Sequence, residues 1–175
     1  SLGSVYECGA CLDIACIKQL LDIRATAHGK GLLESAAKQE FGLRKSWELG
    51  MREETAEYRC PNLPQQRRIY FPHENLHVYR NALDIFSWLE SAVITQQDLP
   101  RKYANDSDKL ATSILLNLAE GNGRFARADR RVFITRAHSS ACNLLTLVDL
   151  LEANLVLEVD SMRRQLRLLI KHLDN

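Results

Sequence analysis

The sequence is short of the residues that would set it apart from ordinary globular chains. It has four Pro and eight Gly in 175 residues, too few for a disordered or collagen-like polymer. No apolar run approaches the ~18 residues that a bilayer span requires, so no membrane partner is expected. No basic segment leads into an apolar one at the N-terminus, so nothing suggests secretion. Neither sign of charge dominates: Lys plus Arg is 23 and Asp plus Glu is 22, a formal charge of +1. That balance argues against a chain built mainly to coat nucleic acid or an anionic membrane. Strand patterning is missing as well, because no segment alternates apolar and polar residues convincingly. The five Cys are an odd number in a chain long enough to build its own core, which points to a reducing cytoplasm rather than a disulfide scaffold.

What is present is helical periodicity. Hydrophobic residues are 46% and charged residues 26%, a globular profile whose apolar share must be gathered into stripes. Past Pro72 such a stripe occurs four times. The first holds Leu76, Tyr79, Leu83, Phe86 and Val93, with Leu89 on its flank and Glu90 interrupting it. Pro100 then breaks the chain, and Asn105-Asp106-Ser107-Asp108 supplies N-capping chemistry. The second stripe is Ala111, Ile114, Leu115 and Leu118, ending at Gly121-Asn122-Gly123. The third is Phe133, Ala137, Ser140, Leu144, Leu147 and Leu151, and the fourth Val159, Met162, Leu166, Leu169 and Leu173. Four amphipathic helices with short connections predict an all-α fold, an antiparallel up-down four-helix bundle over 72–175. The Pro-rich stretch beginning Cys60-Pro61-Asn62-Leu63-Pro64 falls in a linker spanning 59–71.

Residues 1–58 contain a weak internal repeat. At a constant offset, 149 − 13 = 136, Asp13 falls on Asp149, Ile14 on Leu150, Leu20 on Val156, Leu32 on Leu168 and Leu33 on Leu169. This predicts a helical hairpin that resembles half of a second bundle, its second helix running towards Trp47 with Gly42 as a candidate break. A lone hairpin cannot bury its stripe, so it is expected to pack on the bundle, on another subunit or on residues outside this chain.

Several motifs then carry a resemblance. His73-Glu74-Asn75-Leu76-His77-Val78-Tyr79 followed by Ala82-Leu83, Ser113-Ile114-Leu115-Leu116-Asn117-Leu118-Ala119-Glu120-Gly121, and Gly123-Arg124 with Arg127, Arg130-Arg131 and Phe133 are similar to the bacterial four helix bundle protein family. That family is known from intervening sequences of 23S ribosomal RNA and from accessory variability proteins of diversity-generating retroelements. The resemblance covers 71–175, and residues 1–58 resemble a second C-terminal half through Gly3-Ser4-Val5-Tyr6-Glu7-Cys8 and Leu43-Arg44-Lys45-Ser46-Trp47. Leu115 stands where the family has Pro, and Asn143 where it has an acid that the N-terminal copy keeps as Glu7. The resemblance implies a small cytosolic bundle, a ring-like homo-oligomer that is often a pentamer, and no enzymatic activity. For the retroelement members it implies binding of nucleic acid and of a reverse transcriptase; those members are strongly basic, and this chain is not.

Three groups of residues compete for a functional role. His73-Glu74-Asn75-Leu76-His77 matches H-E-x-x-H, which would need both His on one helical face with Glu74 as general base. Its place directly after Pro72 and the lack of a downstream ligand favour an ordinary helix start, so no metal is expected. Cys8 and Cys11 form a C-x-x-C, but the repeat sets them on Leu144 and Leu147, which predicts buried core thiols. Arg124, Arg127, Arg130, Arg131 and Arg136 concentrate positive charge against one acid, Asp129, and guanidinium forks suit phosphate, so these five are the candidate RNA or DNA contacts. Beside them Asn117, Glu120 and Asn122 are expected to hydrogen-bond and fix the turn rather than to catalyse. No cofactor is implied. The expected function is a self-associating interaction module, with a nucleic-acid-binding accessory protein as the alternative.

Overall fold

The computed structural model describes residues 2–49, 69–94, 100–154 and 159–174. Over these residues the chain is helical: α1 (Leu2–Ile17), α2 (Ile23–Leu49), α3 (His77–Leu89), α4 (Arg101–Asn122), α5 (Arg127–Asn154) and α6 (Asp160–Leu173). A 3₁₀ turn, Pro72–Asn75, leads into α3, and a wide π turn, Glu90–Ile94, follows it. No strand occurs among the described residues.

The four predicted stripes mark the four helices of the second region. Tyr79, Leu83, Phe86, Leu89 and Val93 are buried, as are Ala111, Ile114, Leu115 and Leu118 of α4. Ala137, Leu144, Leu147 and Leu151 of α5 and Val159, Met162, Leu166, Leu169 and Leu173 before and along α6 complete the set. Helix α3 packs on α4, α4 on α5, α5 on α6 and α6 on α3, so one core is closed by the four apolar faces. The π turn coincides with Glu90, the acid that interrupts the first stripe.

The start of α4 differs from expectation. The helix begins at Arg101 behind Pro100, whose φ of −54° is already helical. The polar run Asn105-Asp106-Ser107-Asp108 therefore lies inside the helix, and Ser107 is buried. Pro100 occupies the N-cap with no side-chain cap, its extended ψ of 127° marking the point where the helix begins. Helix α4 runs through Leu115 to Asn122 as one continuous helix.

Helices α1 and α2 form the predicted hairpin, and it packs on the same chain: α1 lies on α4 and touches α3, while α2 packs along α1. The turn between them holds Gln19 in the left-handed region (φ 58°), and Asp22 caps α2 by accepting from the Ala25 N–H at 2.6 Å. Helix α2 continues through Gly42 to Leu49 without a break. Element boundaries follow the 136-residue offset to within one residue, since Ile17 and Asn154 end helices and Ile23 and Asp160 begin them. The burial phase does not. Asp13 and Ile14 are buried, whereas their counterparts Asp149 and Leu150 are exposed.

The reading of Cys8 and Cys11 as core thiols is corrected by the same phase. Both are exposed, Cys16 and Cys142 are half-buried, and all four are free. The inward face of α1 is made instead by Gly3, Gly9, Ala10, Asp13 and Ile14. Small residues win these positions because α1 approaches its neighbours closely. A Cβ on Gly123 would meet the Gly3 Cα at 2.6 Å, and one on Gly9 would meet the Phe71 ring at the same distance. Phe71, the end of the predicted linker, is thus buried between α1 and the 3₁₀ turn. The rest of that linker up to residue 68, Cys60 included, and the side chains around Trp47 lie outside the described residues.

Candidate functional site

The chemistry collected by the fold sits where the hairpin meets the other helices. Lys30 of α2 is 5% exposed, an unusual place for an ammonium. Its Nζ donates to Asp13 Oδ1 at 2.7 Å and to Glu74 Oε1 at 3.0 Å. Tyr79 of α3 donates its hydroxyl to the other Asp13 oxygen at 3.0 Å, and the Tyr70 N–H donates to Glu74 Oε2 at 3.3 Å. Four segments, α1, α2, the 3₁₀ turn and α3, are therefore joined through one buried ammonium and two carboxylates. Burial pushes the Glu74 carboxyl above its ordinary value, with Lys30 pulling the other way.

His73 lies beside this network and is fully buried. Its ring stacks on Phe71 at 5.7 Å, meets Tyr79 edge-on at 4.7 Å and lies 5.6 Å from Tyr6. Neither ring nitrogen has a hydrogen-bond partner. Burial, reinforced by the Lys30 charge, lowers its pKa from 6.5 to about 3, so the ring is neutral near pH 7. This geometry also resolves the H-E-x-x-H motif. Leu76 is extended (φ −70°, ψ 126°) between the 3₁₀ turn and α3, so His73 and His77 do not share one helix. His73 points into the core, His77 is exposed, and Glu74 is committed to Lys30. Among the described residues no group of three or more His, Cys, Asp or Glu is placed to hold a metal.

The arginine cluster is drawn together only in part, around Phe133 and the Arg124 carbonyl. Arg124 is half-buried, ion-paired to Glu120 and set 4.9 Å over the Phe133 ring. Arg136 approaches the same ring at 5.4 Å, and Arg130 donates to the Arg124 carbonyl at 3.0 Å. Arg127, Arg130, Arg131 and Arg136 are exposed. At about 100° per residue, Arg136 is on the opposite side of α5 from Arg127. Arg127, Arg130 and Arg131 share the first turns of α5, next to Phe125, which is 63% exposed.

The polar turn residues separate by partner. Asn117 donates to the Ser113 carbonyl at 2.7 Å, and the Ser113 hydroxyl reaches that of Ser140 across the α4–α5 contact at 2.9 Å. Glu120 serves Arg124, and Asn122 is half-buried at the end of α4. Sequence reasoning missed Asp13, Lys30 and Tyr79 because they are single residues on three helices. The one available signal was an acid, Asp13, in the apolar phase of α1.

These features define an all-helical protein with a buried ionic junction between a hairpin and the remaining helices. No helix among the described residues is long and apolar enough to cross a membrane. A scan against family models finds no match, and searches of curated proteins and of solved structures find none.

Proposed function

We propose that this chain is a non-enzymatic, self-associating interaction module, with α3 to α6 as an antiparallel up-down four-helix bundle of the kind found in 23S ribosomal RNA intervening-sequence proteins, working in the cytoplasm. The observation that carries the reading is the turn that leads from α1 into α2, where Leu20 is 72% and Ile23 78% exposed, three residues apart. Neighbouring large apolar side chains left in water favour association, which removes them from it. The family resemblance adds a homo-oligomer, a pentamer in many members. Light scattering at micromolar concentration tests this: an oligomer is expected, and Leu20→Asp with Ile23→Asp is expected to shift it to monomer. A wild-type chain that is strictly monomeric would sink the proposal.

A second reading rests on Arg127, Arg130 and Arg131 beside the exposed Phe125. Guanidinium groups neutralise phosphates while an aromatic ring stacks on a base. The expected result is binding of single-stranded RNA or DNA at low salt that weakens steeply as salt rises and is reduced by Arg130→Ala with Arg131→Ala. Absence of binding at low salt removes this reading.

A further inference from the structure

The hairpin is held to the other helices by an unusual set of contacts. The fully buried apolar content of α1 is two glycines, one alanine and one isoleucine, with Tyr6 and Ile17 half-buried against the core. Asp13 and Lys30 are the hairpin's buried polar anchors, and Lys18 pairs with Asp108 of α4 at 2.7 Å nearer the surface. The core formed by Leu83, Phe86, Leu89, Ile114, Leu118, Leu144, Leu166 and Leu169 belongs to α3 through α6. Directly against the hairpin lies His73, whose two ring nitrogens are buried without a partner. A buried polar group with no hydrogen bond carries an uncompensated desolvation cost, which is recovered when it reaches water. A charged one costs far more.

We propose that the α1–α2 hairpin is an acid-releasable cover, and that protonation of His73 favours a state in which the hairpin has left the α3–α4 face while α3 to α6 stay folded. The groups around the imidazole all work in that direction or stand aside. From α1 come Tyr6, against the ring, and Asp13, which is engaged by Lys30 and Tyr79. From α2 comes Lys30, a cation that repels an imidazolium. From α3 comes the Tyr79 edge, and from the 3₁₀ turn Glu74, already bound to Lys30. On α4, Glu120 and Arg124 pair with each other beside Gly3 and Glu7 of α1 and act on those residues. No carboxylate among the described residues is hydrogen-bonded to the ring, so an imidazolium there has no counter-ion in contact. Leaving the face hydrates His73, and it separates Asp13 and Lys30 from Glu74 and Tyr79.

Hydrogen exchange of the full chain, read by peptide and corrected for intrinsic rates, tests this at pH 7.5 and pH 4.5. Protection of α1 and α2 is expected to fall by on the order of tenfold or more, as a group lowered from 6.5 to about 3 allows, with α3 to α6 still protected. His73→Phe, which keeps a ring against Phe71, is expected to remove that step. Glu74→Gln is expected to lower protection at both pH values and keep the step. Loss of protection in all helices together would overturn the proposal. So would an unchanged step in His73→Phe, or its disappearance in Glu74→Gln. The readout is internal to one chain, so it stands apart from the question of self-association.

Discussion

Lys30 is the residue on which most of the polar structure converges. An ammonium at 5% exposure is stable only because Asp13 and Glu74 both accept from it. Removing one partner of a buried pair leaves uncompensated charge and typically costs about 3–5 kcal/mol. Lys30→Met is therefore expected to lower the unfolding free energy by about that amount in urea titration. Removing Asp13 and Glu74 charges as well, as Asn and Gln, is expected to restore part of the loss. His73 sets the acid response. Its folded pKa is about 3 against 6.5 unfolded, so the unfolded chain takes up the proton first as pH falls. The stability it contributes is whole above pH 6.5 and is lost towards pH 3, at about 1.4 kcal/mol per unit in the steep range. Glu74 has the opposite sign: its raised pKa makes the folded chain take up a proton first, which gains stability on acidification. Denaturation midpoints across this pH range are expected to fall for the wild type and to flatten for His73→Phe.

At the scale of elements, the hairpin depends on backbone approach. Gly123 ends α4 at φ −80°, an ordinary value, so the glycine is there for space and not for conformation. An added methyl would meet Gly3 backbone atoms at 2.6 and 2.8 Å, where neither side can yield as a flexible side chain would. Gly123→Ala is expected to cost about 1–3 kcal/mol by overpacking, measured by thermal unfolding. The cost should appear as faster exchange in α1 before α5 and α6 are affected. Asp22 is a simpler case. It caps α2 through the Ala25 N–H, and Asp22→Ala is expected to cost about 1 kcal/mol.

For the whole molecule, α3 to α6 share one core, and α1 and α2 add a second layer to it. Leu166 is fully buried in that core. Leu166→Ala is expected to cost about 2–5 kcal/mol and to lower the main unfolding transition as a unit. The proposed oligomer would use the turn between α1 and α2, through Leu20 and Ile23.

Much of this architecture was legible beforehand. Apolar residues at three- and four-residue spacing, with Pro100 and Gly123 as punctuation, delimit α3 to α6, because a helix must bury the face its sequence makes apolar. The presence of two further helices before the linker was also readable, through the weak repeat; where each begins and ends was not. Neither was burial within the hairpin. Cys8 and Cys11 have the hydrophobic character of core residues, yet the face of α1 that turns inward was decided by the close packing of Gly3 and Gly9 against Gly123 and Phe71. Likewise H-E-x-x-H is a local string, while its fate depended on one extended residue, Leu76, and on a lysine more than forty positions away. Periodicity is a property of neighbouring residues and survives in the sequence alone. The pairing of Asp13, Lys30, Glu74 and Tyr79 exists only once separate helices are brought together, so only the tertiary structure could decide it.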